Sequence, residues 1–465
     1  MVNVNQVKKI WQTNNTKIVF VAVLLIFLVS SLFIALRLRS TLTGIIPDES
    51  AHFIFSKHFS TTLGIPSDTA ETYVWGWYIK QNPFLYYWIN GRIINLLKLI
   101  SPGITDLQLL ISLRVVNVLY TFTTVIFCYF LSIEVIKHKW WRLLPIFLLT
   151  HTLMFVFLAG GVNYDNLANM LSMISLYFFV KALKNQDFLK NSLAWLVFLG
   201  TGTLVKYTLL PLALAMVIAW LVYVILRRNA IFPIRFDVKN TAVLIVMLAL
   251  LTIGNAAIYG VNILRYGTLL PPCEEILLES QCDLSGFERR YREMALESKL
   301  TIKESISKGY PPPLRYLTVD WVYHMLMRTF GMISHEAYFP QQIILYLRFL
   351  FYWTALLSVF NLMYHHKLSS ITLSFVWISF FYACILFVQN YNSELVYGFK
   401  QIALQGRYIF PVIGVIYILF TKVLQHTPFR SLRWATLAFT VAIFLYAGPV
   451  TILRGYFSFL DGWFY

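Results

Sequence analysis

Four short segments carry residue types that group-transfer chemistry uses. The first is IPDESAHF, with Asp48, Glu49 and His52. If Pro47 opens a helix, Asp48 and His52 stand four residues apart and Glu49 and His52 three apart, so the three groups can converge. Two carboxylates and an imidazole can take a proton from an attacking hydroxyl or hold a divalent cation such as Mg or Mn. The same pattern is also an ordinary helix start, with acids set against the helix dipole. The second segment is GGVNYDN, where Asp165 sits at a re-entry into an apolar run. An acid at that depth is costly and marks function, although Asn163 or Asp165 would also cap a helix. In LVKYTLLP, Lys206 beside Tyr207 must snorkel, pair or bind an anion. In LQGRYIFPV, Gln405, Gly406, Arg407 and Tyr408 offer a guanidinium that grips phosphate in two places, or a lone interfacial arginine beside an aromatic anchor. Acids for proton transfer and cations for a phosphate are the parts a phosphosugar reaction needs.

The elements that must position these residues are membrane helices. Of 465 residues, 58% are hydrophobic and 13% charged, where a soluble chain carries roughly 25% charge. The apolar residues form runs of about 18–22, the length that crosses a bilayer. Eleven spans are expected, near 18–38, 109–131, 142–160, 165–183, 192–208, 210–226, 241–262, 343–364, 371–390, 408–422 and 432–450. The fold class is an all-α polytopic membrane protein. The run Ile18 to Leu36 is too long for a cleaved signal and is expected to stay as the first span.

The net charge of +17 does not indicate nucleic acid, because no basic soluble domain accompanies it. The cations gather in one alternate set of loops: Lys8, Lys9 and Lys17; Lys137, Lys139 and Arg142; Lys181, Lys184 and Lys190; Arg227, Arg228, Arg235 and Lys239; Lys367; Lys422, Arg430 and Arg433. That set is expected to be cytoplasmic, with the N-terminus inside and the C-terminus outside. All four candidate segments then share the outer side.

Two long loops, 40–108 and 265–342, stand on that side too. They divide the chain into a catalytic module (1–264), an outer loop region (265–342) and C-terminal helices (343–465). Phe84–Ile100 and Tyr316–Ile333 are expected to lie along the membrane surface, and Gly286–Ser307 to form a charged amphipathic helix. The aromatics of QNPFLYYWI suit an interfacial belt, or stacking on a sugar or isoprenoid chain. Cys273 and Cys282 are expected to form a disulfide if this side is oxidising.

Taken together, PDESAHF after the first span, QNPFLYYW later in the same loop, Lys206 in a KYT setting, Asn163–Asp165 and GRYIFP near the C-terminus resemble the GT-C superfamily of integral-membrane glycosyltransferases. That group includes protein O-mannosyltransferases and aminoarabinose transferases of lipid A. QNPFLYYW departs from its HPPLYY-like pattern by lacking the histidine. The resemblance implies a transferase of a bacterial inner membrane. Its donor would be a polyprenyl-phosphate sugar, and its acceptor a glycan, lipid or protein. Asp48 would be the base, Glu49 and His52 its support, Asp165 a second acid, and Lys206 and Arg407 the partners of the departing phosphate. Some relatives need a divalent metal and others do not. A transporter or flippase of lipid-linked sugars is the main rival reading, and a surface-polysaccharide polymerase or ligase is a nearer one.

Overall fold

The computed structural model describes residues 4–39, 46–76, 78–231, 238–331, 341–364, 368–401, 404–453 and 463–464. Arg235 and Lys367 of the basic set lie outside the described residues, as do 40–45 and 332–340 of the two long loops. The chain opens with α1 (Val4–Arg37) and makes three shorter helices beyond its end: α2 (Glu49–Phe59), α3 (Ala70–Val74) and α4 (Leu85–Ile100). It returns through α5 (Asp106–Val135), then folds α6 (Leu143–Thr150), α7 (Leu153–Ala159), α8 (Tyr164–Leu183), α9 (Phe188–Val205) and α10 (Leu210–Ile231). The helix α11 (Val238–Asn255) continues through a π turn into α12 (Val261–Tyr266).

Among the described residues ten helices are long and apolar enough to cross a membrane. The third expected span, 142–160, is not one of them. It is two short helices, α6 and α7, broken at His151–Thr152, where Thr152 turns extended. The chain still makes that crossing. Asn166 at the start of α8 bonds Asn117 near the start of α5 (3.0 Å), and Lys184 just after α8 bonds Glu134 near the end of α5 (2.6 Å). The two helices therefore run parallel, and only 136–163 can bring the chain back between them. A break inside a bilayer is tolerated where protein encloses it, and α6 and α7 are almost wholly buried. Side chains add partners to the carbonyls at the break: Thr150 donates to Ile146 O (2.9 Å), Thr152 to Leu148 O (2.9 Å), and the His151 ring bonds Phe147 O (2.8 Å).

Burial separates centre from rim. In its most apolar window the α8 span is 78% buried and the α11–α12 span 11%, so α8 is the axis of the bundle and α11 is turned outward. One hydrophobic core runs from Phe27 to Ala447.

The second long segment begins with α13 (Cys273–Ile276) and α14 (Glu279–Cys282), joined by a Cys273–Cys282 disulfide. The expected helix over Gly286–Ser307 is two pieces, α15 (Gly286–Met294) and α16 (Ile302–Ser307). Each has its own cap, Ser285 and Thr301, and the chain between them bonds the end of a later helix (Leu296 N–H to Val396 O, 3.0 Å; Leu300 N–H to Leu395 O, 3.1 Å). That pairing pulls the strip out of helical register. After α17 (Pro313–Arg315) and α18 (Val322–Leu326) come the long helices α19 (Gln341–Tyr364), α20 (Ser370–Tyr397), α21 (Phe410–His426) and α22 (Arg430–Tyr446), followed by α23 (Pro449–Leu453).

Candidate active site

Asp48 occupies the N-cap position of α2 with φ 61° and ψ 13°, a left-handed backbone. For a residue other than glycine that conformation costs about 1 kcal/mol or more and must be held by its surroundings. Its side chain makes no cap bond to α2. The next residue supplies the hold. Glu49 is buried and takes a two-pronged grip from Arg114 of α5 (Nε to Oε1 2.9 Å, Nη2 to Oε2 2.6 Å). It also accepts the Val162 N–H (2.8 Å), and Asn163 donates to Pro47 O (3.0 Å). The motif loop and the α7–α8 loop are thus stitched together. They pack so closely that a Cβ on Gly161 would stand 2.4 Å from Ile46.

The α7–α8 loop then delivers Asp165. Asn163 caps α8 by accepting the Asp165 N–H (2.9 Å), so the cap belongs to Asn163 and the Asp165 carboxylate is left for other partners. It receives Lys206 in a short ion pair, with the two side chains 5% and 2% exposed. Lys206 does not snorkel. It lies at the α9–α10 turn, its ammonium over the rings of Tyr164 (4.5 Å) and Tyr408 (4.7 Å). Arg407, on the turn before α21, reaches Asp48 (2.5 Å) with one end of its guanidinium and Asp165 (3.6 Å) with the other. Four segments far apart in sequence therefore meet as an alternating chain: Asp48, Arg407, Asp165, Lys206.

The chain is graded in exposure. The Asp48 side chain is 32% exposed, that of Arg407 5%. Among the described residues, Nε and Nη1 of Arg407, Oδ2 of Asp165 and Nε2 of His52 are buried without a hydrogen-bond partner. Buried polar atoms are normally satisfied, so such a group is what a ligand site leaves open. His52 packs 4.5 Å from Tyr164, and its Nδ1 meets the Tyr87 hydroxyl (2.8 Å). Burial, the main cause, pulls its pKa down to about 3, so the ring is neutral near pH 7.

The remaining residues fall around this centre. Tyr207 packs against the cluster of Leu204, Ile258 and Tyr259, and Gln405 accepts the Tyr408 N–H through its backbone (3.2 Å). Tyr86 and Tyr87 are buried within the bundle, which corrects the interfacial belt for these two. Tyr86 bonds Asn117 (3.1 Å), an oxygen that Asn163 and Asn166 also use. Trp88, which bonds the exposed Leu63 carbonyl (3.0 Å), is nearer the surface. Arg114, Asn117 and Tyr164 were not singled out from sequence. An arginine inside the second apolar run was the available signal.

The donor set for a cation does not assemble. Asp48, Glu49 and Asp165 each face a cationic side chain, and among the described residues no three His, Cys, Asp or Glu groups are placed to hold a metal ion. The residues present do not fit the resident divalent ion that Asp48, Glu49, His52 and Asp165 suggested.

Residues 100–255 match the family described as dolichyl-phosphate-mannose-protein mannosyltransferase, a stretch that includes Arg114, Asp165 and Lys206. No curated protein gives a match. Among solved structures, the Archaeoglobus fulgidus oligosaccharyltransferase in its apo form shares 13% identity, with 92% of this chain and 54% of that one covered and a TM-score of 0.50. ArnT from Cupriavidus metallidurans bound to undecaprenyl phosphate also shares 13%, covering 92% of this chain and 63% of that one, with a TM-score of 0.47. The chain thus spans less than two thirds of the length of these proteins. About a third of the chain thus matches this mannosyltransferase family, its fold is similar to that of the Archaeoglobus fulgidus oligosaccharyltransferase, and its ten long apolar helices make it a multi-pass membrane protein.

Proposed function

We propose that the chain transfers a sugar from a polyprenyl-phosphate donor to an acceptor hydroxyl on the outer face of a bacterial inner membrane, with inversion at the anomeric carbon. The observation that carries this reading is the alternating chain of two carboxylates and two cations, in which Nε and Nη1 of Arg407 are buried and, among the described residues, make no hydrogen bond. The family match supports a lipid-phosphate sugar as the class of donor.

Arg407 and Lys206 meet the donor phosphate. As Arg407 turns toward it, Asp48 is released from its ion pair. Asp48 is the most exposed member of the chain and the one an acceptor can reach. Its carboxylate takes the acceptor proton as the acceptor oxygen bonds the anomeric carbon. The bond from that carbon to the phosphate oxygen breaks, and its electron pair leaves with the phosphate. Fixed cations aimed at that developing charge supply the main stabilisation. Asp165 orients Lys206 and Arg407, and its charge favours an oxocarbenium-like transition state. Neutral His52 packs against Tyr164 beside this centre, while Glu49, gripped by Arg114, positions Asp48.

The test is transfer of radiolabelled sugar from a panel of polyprenyl-phosphate sugars to a broad acceptor extract. Wild type should consume one donor. Asp48→Asn should lose at least a hundredfold in rate per folded molecule, the low end for a lost general base. No donor consumed by folded wild type would overturn the reading in favour of transport. Full turnover by Asp48→Asn would remove Asp48 as the base.

A further inference from the structure

At the end of the bundle away from Asp48 lies a second feature. The Lys184–Glu134 pair marks that end, where α5 finishes and α22 begins. There α1, α6, α22 and the α5–α6 loop line a half-open cavity of about 740 Å³. Its inner walls are apolar: Val19 and Val23 on α1, Leu143 and Phe147 on α6, Leu437 and Val441 on α22. Each of these pairs is four residues apart, so the walls run about one helical turn along the spans rather than across them.

The mouth is different. Trp140, Trp141 and Trp434 ring it, with Trp141 and Trp434 6.0 Å apart, and tryptophan is the side chain of the membrane–water boundary. Arg430, Arg433 and His138 stand among them, and among the described residues no acid lines the cavity. Arg430 is the first residue of α22, whose helix dipole also favours an anion at this point. Arg433 is partly buried. Its Nη1 donates to the Gln425 carbonyl (3.3 Å), and among the described residues its buried Nε has no hydrogen-bond partner. A cationic, aromatic mouth over an apolar shaft aligned with the bilayer fits one kind of ligand, an amphiphile with an anionic head and linear chains.

We infer that this cavity is a binding site for an anionic two-chain phospholipid of the leaflet opposite the active site, with the phosphate held between Arg430 and Arg433 and an acyl chain along α1, α6 and α22. Basic pockets between membrane helices recognise such headgroups. The site is independent of the sugar-transfer chemistry, because it shares no residue with it.

The test uses the full chain, purified and delipidated in neutral detergent, with native mass spectrometry reading bound lipid. Dioleoyl phosphatidylglycerol should be retained in preference to dioleoyl phosphatidylcholine. Arg430→Gln/Arg433→Gln should lose about 25-fold in affinity for phosphatidylglycerol, from roughly fivefold per surface cation. Equal retention of the two lipids, or an unaffected double variant, would overturn the inference. So would displacement of the lipid by an equimolar amount of glycerol phosphate, which would make this a free-anion site. Should the double variant fail to fold, phosphatidylglycerol with a photoreactive acyl chain is applied to wild type. Labelling concentrated on 137–147 and 430–441 supports the site, and labelling spread evenly around the bundle refutes it.

Discussion

Glu49→Ala is the perturbation whose size the structure fixes best. Arg114 is 0% exposed, and Glu49 is its only ionic partner among the described residues. Its other bonds go to carbonyls at the end of α1, chiefly Leu38 O (2.9 Å). Removing one member of a buried pair leaves an uncompensated charge, which costs about 3–5 kcal/mol. Replacing both members with apolar groups avoids that term, although the Val162 N–H and the α1 carbonyls lose their partners at about 1–3 kcal/mol. Glu49→Ala should therefore destabilise more than Glu49→Ala/Arg114→Met, with a coupling of at least 2 kcal/mol. Reversible unfolding in mixed micelles, run as a double-mutant cycle, measures it. Additive losses from the two single variants would refute the idea that this pair acts as one clamp.

Two further expectations concern the site. A Cβ on Gly406 would stand 2.5 Å from the Arg328 and Thr329 backbone, so Gly406→Ala should displace Arg407, cost about 1–3 kcal/mol and lower transfer beyond the loss of folded protein; transfer at the wild-type rate would show that the turn has slack. His52 titrates near 3 in the folded chain against an ordinary 6.5, so its contribution is intact above pH 6.5 and is lost as pH falls, at about 1.4 kcal/mol per unit down to about 3. The stability advantage of wild type over His52→Gln should thus be about 1.4 kcal/mol smaller at pH 5.5 than at pH 7.5, and unfolding midpoints that differ equally at both pH values would contradict a buried neutral ring.

Ten of the eleven expected spans were legible because length and apolarity are local properties. The break in 142–160 was not, because Pro145 stands near the start of that stretch and no glycine marks the bend. What marks it is the polar triplet Thr150, His151 and Thr152, whose side chains bond carbonyls one turn back. The residue types of the site were legible too, but their pairing was not. Asp48 and Arg407 are 359 positions apart, and nothing in either motif names the other. Lys206 left snorkelling, pairing and anion binding open, and only the packing of Tyr164 and Tyr408 around it decides for pairing. Arg114 is a similar case. An arginine inside an apolar run needs a buried partner, yet nothing in the sequence around either residue singles out Glu49, 65 positions away.

The alternating chain of charges has a consequence for the order of events. Its four formal charges sum to zero, and three of the four side chains are 5% exposed or less. Such an enclosure tolerates little net charge, so an arriving phosphate cannot simply be added. It must take a cation away from a carboxylate that already holds it. The carboxylate with a path to solvent is Asp48, while that of Asp165 stays enclosed at 5% exposure. On the proposed reading, the protein at rest is its own competitive inhibitor. The donor's arrival unmasks the base, and an acceptor that comes first finds Asp48 still occupied.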